Sequence, residues 1–276
     1  MQKWIWKLFY LLIAVILTHS VGLLFGIHLS QNLVFHFVLL ILPILLVILH
    51  AIYTLGIGRS LFFIIIASGI GWLMETEGLK YGTIFGGRYI YEGNPLTIGI
   101  VPLAVILYWG VFIYTGYSIV CAFFYWRHKK KPNKKNNPIF QILPLVLLDG
   151  VIVTVIDLFM DPIQVKAGTW QWLDGGIYFG VPLGNFFGWF LTTIIVTGIF
   201  RFMEYLLPAK DDAQDPSVLI LPTIAYGMLA ISFSISAIQY RLYSLAIIGL
   251  FLMVPIVITN LYLYLKYNKL KRNRRF

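Results

Sequence analysis

Charge is scarce in this chain, and acidic charge scarcest: of 276 residues only 11 are Asp or Glu, and charged residues of both signs make up 12%. A water-soluble domain carries nearer a quarter charged residues and about half apolar ones. A hydrophobic content of 59%, an aromatic content of 17% and a mean hydropathy of +0.84 therefore exclude that class. Cysteine is nearly absent too. Cys121 alone excludes a disulfide within the chain and leaves no thiol pair for redox chemistry. Set in an apolar run, it reads as a small buried hydrophobe. His19, His28, His36, His50 and His128 are scattered, without the spacing of a metal cluster, so no metal site is expected from them. A single histidine inside a span, such as His19 or His50, is expected to hydrogen-bond to a neighbouring helix.

Long apolar runs are what the chain has instead. About 20 apolar residues cross about 30 Å of hydrocarbon as a helix, and helices satisfy their own backbone groups where no water is present. Runs at 4–25, 33–55, 61–74, 100–126, 139–160, 181–202, 218–238 and 242–265 predict an all-α fold. That fold is a polytopic transmembrane bundle of about eight helices, one integral-membrane domain over 1–276. The third run is short. Lys3 and Lys7 precede the first as in a signal peptide, but no small-x-small cleavage site follows, so it is kept as an uncleaved span.

Lysine and arginine stay cytoplasmic, which orients the bundle. With both termini inside the cell membrane, the inner side receives Lys3, Lys7, Arg59, the run RHKKKPNKK, Arg201, Lys210 and the cations of 266–275. The outer side receives only Lys80, Arg88, Lys166 and Arg241. The net charge of +10 is thereby assigned to juxtamembrane anchors on anionic headgroups, and no nucleic-acid partner is expected.

The carboxylates are distributed otherwise. Glu75, Glu77 and Glu92 are placed in the outer loop after span three, Asp161 and Asp174 in the one after span five, with Asp149 and Asp157 inside span five. The two loops are alike: each runs through Gly-Thr, aromatics and glycines to Val-Pro-Leu at the next helix, as in GTIFGGRYIYEG and GTWQWLDGGIYFG. Hairpins three–four and five–six are expected to face one another, although convergent loop chemistry accounts for the likeness too. For Tyr89, Tyr91, Trp170 and Trp172 the plain alternative is an interfacial aromatic belt.

On a helix Asp157 and Asp161 lie about 40° apart, and Asp149 about 80° from Asp157 and about 12 Å deeper. A carboxylate at mid-membrane is a functional hypothesis by default. The alternatives are an Asp149 held protonated or bonded to a neighbouring helix, for example through Asn185 or a tyrosine, and capping or loop solvation for Asp157 and Asp161, with Asp161 ending its helix before Pro162. Crowded carboxyl groups in a low dielectric cannot all ionise, so one can serve as acid while another remains a base. Protonation of a trisubstituted isoprenoid alkene gives a tertiary cation that aromatic faces stabilise, and water activated by the second carboxylate captures it.

The pattern E-x-x-G-x-K-x-G-x-x-F-G over 75–86, then Tyr89, Tyr91 and Val-Pro-Leu at 101–103, resembles the multi-pass carotenoid biosynthesis proteins. Those proteins include the carotenoid 1,2-hydratase and the bisanhydrobacterioruberin hydratase. The second loop is similar as well: Asp157-x-x-x-Asp161-Pro162, Gly168-x-Trp170-x-Trp172 and Gly176-x-Tyr178-x-Gly180-Val181-Pro182-Leu183-x-Asn185. Gly87-Arg88 departs from the pattern, which has a shorter segment before the tyrosine.

The resemblance, over 72–190, implies a carotenoid hydratase that adds water to the end of a C40 or C50 polyene without metal or redox cofactor. It implies Asp157 and Asp161 as the acid and base pair, Glu75 as the opposing carboxylate and Asp149 as proton reservoir or structural partner. Trp170, Trp172 and Tyr178, with Tyr89 and Tyr91, would line the cationic end group, and Asn185 would orient water. The expected partners are a carotenoid or other isoprenoid lipid, membrane lipid and neighbouring pathway enzymes. Three rivals remain open. A carotenoid cyclase makes the same cation. An Mg²⁺-dependent prenyltransferase shares Asp-x-x-x-Asp but needs a second acidic motif and cationic clamps. A lipid carrier or scaffold has no chemistry at all.

Overall fold

The computed structural model describes residues 1–93, 95–127, 138–208 and 215–273. His128, most of the RHKKKPNKK run, Lys210, Asp211, Asp212 and the last two arginines lie outside those residues. Eight helices among the described residues are long and apolar enough to cross a membrane. The protein is a multi-pass membrane bundle. The helices are α1 (Gln2–Leu24), α2 (Leu33–Leu55), α3 (Ile57–Tyr81), α4 (Leu103–Arg127), α5 (Pro138–Ala167), α6 (Leu183–Leu206), α7 (Leu221–Gln239) and α8 (Tyr243–Asn273). Asn32 caps α2, its side chain accepting from Phe35 N at 3.1 Å, and a 3₁₀ turn at Pro216–Ile220, capped by Asp215, leads into α7.

α4 is the axis of the bundle. Its most apolar stretch is 72% buried in protein, against 17% to 44% for the corresponding stretches of the others, which turn large apolar side chains outward as a lipid-facing surface must. Around it the hairpins α3–α4 and α5–α6 pack side by side, α3 against α6 and α4 against α5.

Two boundaries differ from the sequence expectation. α3 does not stop at Met74 but runs to Tyr81, closed by Gly82 in the left-handed region at φ 68°. Glu75 and Glu77 are therefore helical, not in a loop; the charge at 75 is compatible with a helix because neighbouring donors satisfy it, as shown below. Likewise α5 passes through Pro162 to Ala167, so Asp161 neither ends the helix nor lies in a loop. Proline removes one i to i−4 bond, a loss spans tolerate when neighbours re-satisfy the backbone.

The two Gly/aromatic loops sit at the same end of the bundle and are joined as β-structure. β1 (Tyr89–Tyr91), after α3, pairs antiparallel with β4 (Trp170–Trp172), after α5, in the register Tyr89 to Trp172 and Tyr91 to Trp170. Bonds from Glu92 N to Thr169 O at 3.0 Å and from Leu173 N to Arg88 O at 2.8 Å extend the ladder. Between them in sequence, β2 (Thr97–Ile98) and β3 (Val101–Pro102) form a small hairpin before α4. The loop of α3 also crosses the first turn of α6 backbone to backbone. A Cβ on Gly86 would lie 2.7 Å from the Cα of Gly184, an approach that only glycine on both sides permits.

Candidate functional site

Glu75 stands on the buried face of α3, between Gly71 one turn before it and Gly78 one turn after. Both glycines make room for aromatic rings. Trp109 of α4 lies directly against Gly71, and a Cβ on Gly78 would come within 2.8 Å of the Tyr89 hydroxyl. The rings bring their donors to one carboxyl group: Tyr89 OH donates to Glu75 Oε2 at 2.5 Å, Tyr91 OH to the same oxygen at 2.8 Å, and Trp109 Nε1 to Oε1 at 3.1 Å. Burial, with the carboxyl of Glu75 beside them, holds the Tyr89 and Tyr91 hydroxyls well above the usual tyrosine range, so both stay donors.

Asp157 and Asp161, one turn apart on α5, face Asn185 in the first turn of α6. The Asn185 side-chain amide donates to Asp157 Oδ2 at 2.7 Å and to Asp161 Oδ2 at 2.8 Å. Its two N–H groups serve one carboxyl each. Trp170 Nε1 of β4 donates to Asp161 Oδ1. The β1–β4 ladder closes the two halves into one enclosure: the Tyr91 and Trp170 rings are 5.8 Å apart and those of Tyr89 and Trp172 4.7 Å. Glu75, Asp157, Asp161 and Asn185 are all buried, at 4%, 1%, 2% and 4% exposure, and their carboxyl groups lie within electrostatic reach of one another.

Of the carboxyl oxygens in this group, one is different. Both oxygens of Glu75 and of Asp161 accept a hydrogen bond, as does Asp157 Oδ2, but buried Asp157 Oδ1 has no partner among the described residues. The Tyr178 hydroxyl and the Trp172 indole N–H are likewise buried without a partner among them. Burial, with the Asp157 carboxyl as a lesser cause, pushes the Tyr178 hydroxyl up to about 12. It is carried on a two-residue turn, Tyr178 bridging to Val181, with Phe179 at φ 51° and Gly180 at φ 89°. A phenylalanine in that region is strained, and such strain is tolerated where the surroundings hold it.

Asp149 is not part of this enclosure. Arg201 of α6 forks onto it, Nε at 2.6 Å from Oδ2 and Nη2 at 2.7 Å from Oδ1, with exposures of 6% and 0%. The guanidinium lies 4.5 Å from the centre of the Tyr117 ring, whose hydroxyl donates to Glu204 at 2.8 Å. The expected partner of Asp149, Asn185 or a tyrosine, is thus replaced by an arginine. Trp109 is the residue of the enclosure that sequence reasoning missed, and Arg201 the missed partner of Asp149 outside it. His50 is a satisfied interhelical group: Nε2 faces the Val218 carbonyl at 3.1 Å, so it carries the proton, and Nδ1 accepts from Tyr114 OH at 2.7 Å. Among the described residues no group of three or more His, Cys, Asp or Glu is placed to hold a metal ion.

A family described as "Carotenoid biosynthesis protein" matches residues 35–256, a range that contains both loops and all of the enclosure. Neither a curated protein nor a solved structure matches the chain.

Proposed function

The chain belongs to the carotenoid biosynthesis protein family, and from that premise we propose that it is a hydratase adding water to a terminal double bond of an acyclic C40 or C50 carotenoid. The observation that carries the reading is the buried, unpartnered Asp157 Oδ1 in a cluster with two further carboxyl groups and the aromatic side chains that bond to them. Two carboxylates sharing one asparagine repel each other, and a single proton between them removes the repulsion. With Asp157 Oδ2 and both Asp161 oxygens already engaged, Oδ1 of Asp157 is the atom free to carry that proton to an alkene.

The steps balance without an external reagent. Asp157 gives its proton to the less substituted alkene carbon, leaving a tertiary cation. The π faces of Trp170, Trp172, Tyr89 and Tyr91 and the charge of the carboxyl cluster stabilise that cation. Water adds to it and loses a proton to the Asp157–Asp161 pair, which restores the single proton that the pair shares. Glu75, held by three donors, contributes fixed negative charge, and Tyr178 orients the water. Asp149 acts through helix packing. Lysine and arginine placement puts both termini in the cytoplasm and the site toward the outer leaflet of the cell membrane; neighbouring pathway enzymes would supply the polyene.

One observation favours a cyclase as second reading: an enclosure this closed admits little water, and an internal double bond would then capture the same cation. The test is expression in a cell making lycopene, with pigments weighed. Hydration gives a product heavier by one water, cyclisation an isomer, and Asp157→Asn abolishes either. A product equally abundant in the Asp157→Asn, Asp161→Asn double variant would refute the acid-base reading.

A further inference from the structure

A groove of about 280 Å³ runs between α4, α5 and α8, bordered by Phe123, Leu148, Val151, Pro255, Thr259 and Asn260. It is separate from the carboxyl enclosure, because Leu148 lies about 180° around α5 from Asp157. Leu148 and Val151 are exposed, so the groove opens toward lipid. Pro255 lies inside α8 at its edge, where the missing N–H weakens the helix and its ring holds neighbours off.

The walls are largely apolar, but Asn260 at their edge and Trp126, one turn beyond the groove on α4, each bury a polar atom without a partner among the described residues. Asn260 is 3% exposed, and its amide nitrogen is spent on Ile256 O of its own helix at 3.4 Å, leaving Oδ1 without a donor. Trp126, one turn beyond Phe123 on α4, is 7% exposed and its Nε1 has no acceptor. The two belong to adjacent turns of one interface, since the Trp126 ring packs 5.1 Å from that of Tyr264, one turn after Asn260 on α8. A buried orphan donor and a buried orphan acceptor call for a group that is both. A hydroxyl accepts and donates. A carbonyl, a carboxylate or a phosphate diester accepts only and would answer only Trp126, and an ammonium donates only and would answer only Asn260.

We propose that this groove is a second lipid site that takes a hydroxylated end of an acyclic carotenoid, the chain lying on the apolar walls and the hydroxyl bridging Trp126 Nε1 and Asn260 Oδ1. The source of the alcohol rests on the hydratase reading; the site does not. The test uses the full-length Asp157→Asn protein in nanodiscs, which leaves its ligand unchanged, loaded with a monohydroxylated C40 carotenoid or with the parent hydrocarbon. Pigment retained after gel filtration is the readout. Retention of the alcohol about tenfold above the hydrocarbon is expected from two hydrogen bonds, with the preference lost in both Asn260→Leu and Trp126→Phe. Should Asn260→Leu fail to fold by circular dichroism, Trp126→Phe carries the comparison. Equal retention of the two pigments, or a preference that survives the substitutions, overturns the site and leaves the polar pair to water. A preference found in a protein whose wild type hydrates nothing keeps the site and removes only the reaction.

Discussion

Arg201 and Asp149 meet as a bidentate ion pair across α5 and α6, 2.6 and 2.7 Å between their paired atoms. A buried pair of this kind is costly to break singly, by about 3–5 kcal/mol, and near neutral to replace as a whole. Asp149→Leu or Arg201→Met alone is therefore expected to lower the unfolding temperature in detergent sharply, and the double substitution to recover most of it. Because Asp149 sits about 12 Å along α5 from Asp157, the double variant should also keep its reaction. Loss of product in a double variant as stable as wild type would instead give Asp149 a part in the chemistry.

Asn185 ties together Asp157 and Asp161, the proposed acid and base, with two bonds to their carboxyl groups. Hydrogen bonds to charged groups are worth about 1.5–3 kcal/mol, so Asn185→Leu should slow turnover by about tenfold to a hundredfold. Turnover of purified protein at saturating polyene checks it. A rate within twofold of wild type would show that the bridge is incidental.

Gly184→Ala places a methyl against the backbone of Gly86. Overpacking costs about 1–3 kcal/mol, and here it acts on the loop that carries Tyr89 and Tyr91. Activity should be lost while the helical circular dichroism is unchanged. Gly198→Ala on the same helix meets nothing within 4 Å and should be silent.

How far the sequence alone reaches can be read from these residues. The span count, the two aromatic loops and the acidic residues of α5 are legible because length, hydropathy and charge mark them. The end of α3 is not, since Glu75 interrupts the apolar run and only Tyr89, Tyr91 and Trp109, distant in sequence, show how a helix carries it. Nor is the β1–β4 ladder, three residues on each side with no turn between. Arg201 reads as an ordinary inner-side cation; its one local signal is the row Thr193, Thr197 and Arg201 at four-residue spacing on α6, which marks a polar face with a partner.

Tyrosine ionisation gives a pH prediction. An unfolded tyrosine titrates near 10, whereas Tyr178 is pushed up to about 12 and Tyr89 and Tyr91 are held well above the usual range by burial and Glu75. Between the two values the unfolded chain binds fewer protons than the native one, so stability falls as pH rises. The stabilisation from these hydroxyls is complete below about 10 and declines through 12. Denaturation followed at increasing pH, beside tyrosinate absorbance, should show the loss begin before these three tyrosines ionise, and Tyr89→Phe should reduce its slope.

The most direct measurement supplies purified protein with an acyclic carotenoid in water enriched in heavy oxygen and weighs the product. Hydration at Asp157 predicts a product carrying one heavy oxygen at the tertiary carbon of its end group, absent from Asp157→Asn. A product of unchanged mass, or a labelled product formed as fast by Asp157→Asn, would contradict it.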